Sequence, residues 1–215
     1  MRATAPTLLL LVRHGDTGRF RRDDPTMNGW IDVPLSGRGR AQAERVARRL
    51  RGFDVTAPIY TSTLGRARET AAIISRRTGL PIVPLRSLRE IRCGIVDGWP
   101  VSRVQRLFPD WWRANLARGD ADFRWPGGES YRHFRSRVLR AVLALVCRHP
   151  GERVIVVTHA GVVTQLLGAL CGITPARWDS YRPAAGSLTM IEWCGAHGVL
   201  HSFDDREHLE RSVRR

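Results

Sequence analysis

A chain of 215 residues with 43% hydrophobic residues is long enough for one domain with a real core and has the balance of an ordinary globular protein. Its net charge of +15 resembles that of nucleic-acid binders, but lysine is absent, and the 35 basic residues are arginines dispersed among 20 acidic ones. Such dispersion reads as a solvated basic surface, so nucleic acid is not an expected partner. No apolar run approaches a transmembrane length, and residues 8–12 are too few for a signal-peptide core. A cytoplasmic protein without membrane contact is therefore expected. The cysteines Cys93, Cys147, Cys171 and Cys194 lie far apart, with neither metal-ligand nor disulfide-framework spacing. They read as buried free thiols, and no metal or other cofactor is expected.

The first strand is expected over residues 7–12 and runs into Arg13-His14-Gly15. Ser36 reads as the N-cap of a helix over 38–51, with Ala43, Val46, Ala47 and Leu50 on one face. A short strand over 58–61 precedes a helix over 64–78, which Gly79 stops with Pro81 beyond. A long helix over 129–148 carries Phe134, Val138, Val142 and Leu145. A strand over 154–158 leads into His159-Ala160-Gly161, followed by a helix over 162–170 that ends near Gly172. Late strands are expected over 187–193 and 199–203, and the charged tail 204–215 is expected to fray. Alternation of this kind predicts a layered α/β fold, a single domain over 1–215.

The segment 99–126 reads differently. Trp111, Trp112, Phe123 and Trp125 stand among Arg103, Arg106, Arg113, Arg118 and Arg124. It is an insertion whose aromatics either cover a ligand or dock the insertion onto the core; docking is the expected role for most of them.

Two histidines, His14 and His159, each follow a buried strand, at the sheet edge where open α/β folds bind ligands. A neutral imidazole is a competent nucleophile toward phosphorus. Phosphoryl transfer otherwise needs positioning and charge neutralisation, which a planar guanidinium supplies. Arg13 adjoins the first histidine, and Arg66 opens the second helix, where a surface pairing with Glu69 or Glu90 is the plainer alternative. Glu90 can protonate a leaving oxygen or merely neutralise Arg89 or Arg92; Asp97 is a rival carboxyl. Gly15 and Gly161 let backbone approach a ligand. Thr17 and Asn28 can donate to phosphate or cap turns. His133, His149, His197, His201 and His208 read as structural or exposed.

Arg13-His14-Gly15 comes first in an ordered set of motifs. It is followed by Gly29-Trp30-Ile31-Asp32-Val33-Pro34-Leu35-Ser36 with Gly39 and Gln42-Ala43. Then come Thr61-Ser62-x-Leu64-x-Arg66-Ala67 with Thr70, Leu88-x-Glu90 with Gly94 and Asp97-Gly98, and Thr158-His159-Ala160-Gly161-Val162. Pro126-Gly127-Gly128-Glu129-Ser130 adds a further match. The set resembles the histidine phosphatase superfamily, in its phosphoglycerate-mutase-like branch. The resemblance implies a three-layer α/β/α sandwich around a mostly parallel sheet, with the 99–126 insertion as a small helical lid over substrate. It implies that His14 becomes phosphorylated, that Arg13, Arg66 and His159 hold the phosphoryl group, and that Glu90 is general acid and then base. Gly15, Thr17, Asn28, Gly29 and Ala160 complete the expected substrate contacts. The implied activity is hydrolysis of a small phosphorylated metabolite; a mutase and a non-enzymatic phospholigand binder are the alternatives, and a homodimer is left open. The chain departs from the family pattern after the first motif, where the usual Asn is missing from Asp16-Thr17-Gly18-Arg19-Phe20 and the insertion Arg21-Arg22-Asp23-Asp24-Pro25 follows.

Overall fold

The computed structural model describes residues 5–19, 23–195 and 197–210. Phe20, Arg21 and Arg22 of the departing loop and residues 211–215 of the tail lie outside the described residues. The described residues build a six-stranded sheet in the order β3-β2-β4-β1-β5-β6. Its strands are β1 (Thr7–Arg13), β2 (Ile59–Ser62), β3 (Ile82–Leu85), β4 (Arg153–Thr158), β5 (Leu188–Cys194) and β6 (His197–Asp205). The pairings β1·β4, β2·β4 and β2·β3 are parallel, whereas β5 runs antiparallel to both β1 and β6. The sheet is thus mostly parallel, with one reversed strand.

Both faces of the sheet are covered, which is why the central strands read as unbroken apolar runs rather than alternations. Leu10 and Val12 of β1, with Ile155 and Val157 of β4, pack against α1 (Gly37–Leu50) and α2 (Gly65–Thr78). Leu9 and Leu11, with Val154 and Val156, face α5 (Tyr131–Arg148) and α6 (Ala160–Leu170) on the other side. The expected three-layer sandwich is what forms.

Local chemistry sets several boundaries. The Ser36 side chain accepts from the Gly39 N–H and caps α1, and Gly79 ends α2 in the left-handed region at φ 76°. Ser130 caps α5 by accepting from the His133 N–H, so that helix starts two residues later than its periodicity suggested. Strand β3 went unread because Pro84 interrupts it. The proline is tolerated because β3 lies at the sheet edge and pairs only with β2.

The insertion forms α3 (Val101–Leu107) and α4 (Pro109–Ala117), the latter with Pro109 at its first position. Val104, Trp125, Val96 and Cys93 make a small core of their own, with Trp99, Phe108 and Trp112 packed on it. Two expectations need correction. Of the four thiols, all free, only Cys93 is buried; Cys147, Cys171 and Cys194 are exposed, two near helix C-termini and one closing β5. The first part of the tail is held in place: residues 204–205 finish β6, and α7 (Glu207–Glu210) docks through the Leu209 carbonyl, which accepts from Arg45 of α1.

Candidate active site

Strands β1, β4 and β2 end side by side, and each delivers a polar side chain to the same place. The His14 N–H donates to the Thr158 carbonyl at 2.9 Å, which locks the exits of β1 and β4 together. The rings of His14 and His159 consequently lie 5.1 Å apart, edge to face. Both are buried, and so is Arg66.

His14 is held in one tautomer. Its Nδ1 lies 2.7 Å from the Gly15 carbonyl, which can only accept, so Nδ1 carries the proton and Nε2 the lone pair. That lone pair faces the Arg66 Nε–H at 3.2 Å. Burial, with Arg66 and then Arg13 adding to it, holds the His14 pKa well below the ordinary histidine value, so the ring is neutral at pH 7. Gly15, expected to touch substrate, serves this arrangement. Its N–H donates to Thr70 Oγ1, and a Cβ here would run into the Gly39 backbone.

His159 is oriented by Ser62, whose Oγ lies 2.7 Å from its Nε2 and accepts from the Leu64 N–H. With the Ser62 hydroxyl donating to Nε2, the ring proton sits on Nδ1, an atom that is buried and without a partner. Burial chiefly, then Arg66 and His14, keeps this ring neutral as well. A neutral N–H donor beside a neutral nucleophile is what an anionic phosphoryl group needs.

Arg66 is a hub. Its Nη1 donates to the Ile31 carbonyl, and its Nη2 to those of Asn28 and Gly29, at 2.8–3.2 Å. Asn28 and Gly29, expected to touch substrate, give their carbonyls to the guanidinium, and the Asn28 Oδ1 is buried without a partner. The plainer pairing of Arg66 with Glu69 is not made, since Glu69 bonds Arg40 and the Leu35 N–H. Arg13 reaches the Pro183 carbonyl at 2.6 Å through Nη1, while its Nε is buried and unpartnered. Burial lowers the pKa of both arginines, and Glu90 is the foremost charge acting against that on each.

Glu90 accepts from the Gly161 N–H at 3.0 Å, in the first turn of α6, and from its neighbour Ile91 at 2.9 Å. This close seat requires Gly161, because a Cβ there would meet the carboxylate. Arg137 of α5 pins the Glu90 segment by donating to the carbonyls of Ser87, Arg89 and Glu90. The rival Asp97 is occupied elsewhere: it accepts from the Trp30 N–H at 3.1 Å, and burial raises its pKa. It holds the 28–36 loop in place.

Arg13, Glu90, Ala160 and Gly161 open onto a cavity of about 650 Å³ that extends under the lid. Ala160 is the first residue of α6, where a helix N–H has no partner one turn back. Thr17 is half-exposed and is not among the residues that line this cavity, as His14, Arg66 and His159 are not either. Sequence reasoning missed Ser62 and Arg137 as orienting residues. It also missed one wall of the cavity, Trp178 to Ala184, whose only signal is a pair of aromatics inside a Pro-bracketed loop. The remaining histidines are structural or exposed as expected; His149, for example, is buried against the Tyr60 hydroxyl.

Comparison with known proteins agrees with this geometry. The family described as histidine phosphatase superfamily (branch 1) matches residues 9–206, and the chain belongs to it. A probable phosphoglycerate mutase GpmB of Yersinia enterocolitica is 31% identical over 209 residues, 94% of each chain. Among solved structures, YhfR of Bacillus stearothermophilus superposes with a TM-score of 0.83 at 33% identity, covering 95% of this chain and 100% of that one. The mycobacterial glucosyl-3-phosphoglycerate phosphatase superposes with a TM-score of 0.79 at 28% identity, covering 94% and 99%. The expected class, a phosphoric monoester hydrolase of the histidine phosphatase type, stands. No helix among the described residues is long and apolar enough to cross a membrane.

Proposed function

We propose that this protein is a cytoplasmic phosphatase that hydrolyses a small phosphorylated metabolite through a phosphohistidine on His14. The observation that carries the reading is the orientation of His14: proton on Nδ1, lone pair on Nε2, and a buried guanidinium nitrogen 3.2 Å from that lone pair. In the first step Nε2 attacks phosphorus and the bond to the leaving oxygen breaks, with Glu90 supplying the proton that the departing alkoxide needs. Arg13, Arg66 and the His159 Nδ1–H neutralise and orient the phosphoryl oxygens. In the second step water attacks the phosphohistidine, Glu90 takes its proton, and inorganic phosphate leaves with His14 restored. Phosphate release from a panel of phosphomonoesters tests the reading directly; a protein that binds such compounds without turnover would refute it.

Two expected results separate this mechanism from others. Arg66→Lys keeps a charge but cannot reach three carbonyls and the reacting group at once. It should lower kcat/KM by more than about tenfold, or about 1.4 kcal/mol of transition-state stabilisation. Near-normal kcat/KM would remove Arg66 from the reaction. Activity should also survive exhaustive EDTA treatment, because arginine and histidine supply the positive charge. Among the described residues no three His, Cys, Asp or Glu side chains gather as metal ligands would. A loss restored by Mg²⁺ or Zn²⁺ contradicts this.

A further inference from the structure

The cavity beside the phosphoryl site is much larger than a phosphate and a three-carbon acid require. At about 650 Å³ it falls in the range that holds an organic molecule of drug size. Its walls come from two separate pieces of chain. Trp112 of α4 and Trp125 of the lid core come from one piece, and Trp178 and Tyr181 of the loop between α6 and β5 from the other. Tyr131 of α5 also lines the cavity, its hydroxyl spent on Asn115 at 2.6 Å.

Cations are present, but they are engaged with the walls. Arg118 pairs with Asp179, and its Cζ lies 5.7 Å from the Trp178 ring centroid; Arg182 lies 5.6 Å from the same ring. Arg124 is exposed. Aromatic side chains thus supply much of the wall, beside the guanidiniums of Arg13, Arg118, Arg124 and Arg182. Two donors remain: the Trp178 Nε1–H and the Arg118 Nε–H are both buried without partners. A flat ring bearing an acceptor atom satisfies these features together, since aromatic faces stack on it and the buried donors gain a partner.

We propose that the leaving group is an alcohol carrying an aromatic or heteroaromatic ring system, held against the aromatic wall to which Trp112 and Trp178 belong. The proposal rests on the phosphatase reading above and specifies its substrate class.

The test compares substrates of equal chemical reactivity. Ethyl phosphate and 2-(1-naphthyl)ethyl phosphate release primary alcohols of similar acidity, because two carbons insulate the ring from the oxygen. Their kcat/KM ratio therefore reports recognition of the ring. The naphthylethyl ester should exceed ethyl phosphate, and also 3-phosphoglycerate, by at least about 100-fold, in line with burial of a bicyclic ring. Trp178→Ala and Trp112→Ala should each reduce the naphthylethyl-to-ethyl ratio by about tenfold or more, and Trp178→Phe should restore most of it. Hydrolysis of all three esters with ratios near one would overturn the ring proposal and leave the phosphatase reading intact. A preference for 3-phosphoglycerate would overturn it in favour of an acid-binding site. Hydrolysis of none would overturn the phosphatase reading itself, and the ring proposal with it. If a variant fails to fold, the ratio measured on the unmodified protein still decides.

Discussion

Rapid quench of the protein with a radiolabelled phosphomonoester should trap an acid-labile, base-stable phosphoenzyme, and His14→Ala should abolish it. Turnover should fall on the order of 10⁴-fold, or about 5.5 kcal/mol, since the variant loses the nucleophile while keeping the charge around it. The position of the label is as informative as its presence. Gly15 holds the His14 proton on Nδ1, so phosphate should be found on Nε2. The neighbouring His159 is arranged the opposite way, with Nε2 tied to Ser62 and Nδ1 unpartnered. Were His159 the nucleophile, its ring would first have to move its proton from Nδ1 to the Ser62-bound Nε2, and the isomer would then carry phosphate on Nδ1, a difference that phosphorus NMR of the denatured phosphoenzyme resolves. Label on Ser62, or on any Ser, Cys or Asp, would refute the proposal, as would an Nδ1 isomer that persists in His14→Ala.

The parts of this fold that were legible in the sequence are those whose cause is local. Residues 8–12 are apolar without alternation because both sheet faces are covered, and that pattern is visible before any packing is known. The Ser36 cap and the Gly79 stop act within four residues of themselves. His14, His159 and Glu90 are candidates because motifs and strand ends mark them, and the structure puts the two rings 5.1 Å apart and Glu90 on the Gly161 N–H. What could not be read depends on distant partners. The close approach of Gly15 to Gly39, and the bond from its N–H to Thr70, join residues far apart in the chain. Asn28 and Gly29 act through carbonyls that any residue carries, so nothing in their side chains announces the anchoring of Arg66. The Trp178–Ala184 wall comes from an irregular loop with no periodicity, and only the tertiary structure sets it opposite α4. Asp97 and Glu90 look interchangeable in sequence; they part because one caps the 28–36 loop and the other meets the N-terminus of α6.

Glu90→Gln should cripple the first chemical step in a way that depends on the leaving group. Glu90 lines the cavity together with Ala160 and Gly161, and in the proposed mechanism it gives its proton to the leaving oxygen there. Glutamine keeps the shape and can still accept from the Gly161 N–H, but it has no proton to give. General acid catalysis contributes about 10²–10⁴-fold and matters most when the departing oxygen is strongly basic. Phosphorylation of His14 by an alkyl phosphate should therefore slow by about that factor. With p-nitrophenyl phosphate, whose phenolate leaves without help, the loss should be several-fold at most. The comparison belongs in single-turnover kinetics of the phosphorylation step, because the same carboxylate activates water in the second step and its loss there would mask the contrast. Equal losses on the two substrates would mean that Glu90 only positions the site. In that event Asp97→Asn becomes the discriminating variant. Asp97 is committed to the Trp30 N–H and does not line the cavity, so it should lack any leaving-group dependence; its loss should loosen the 28–36 loop that anchors Arg66 and depress both substrates alike.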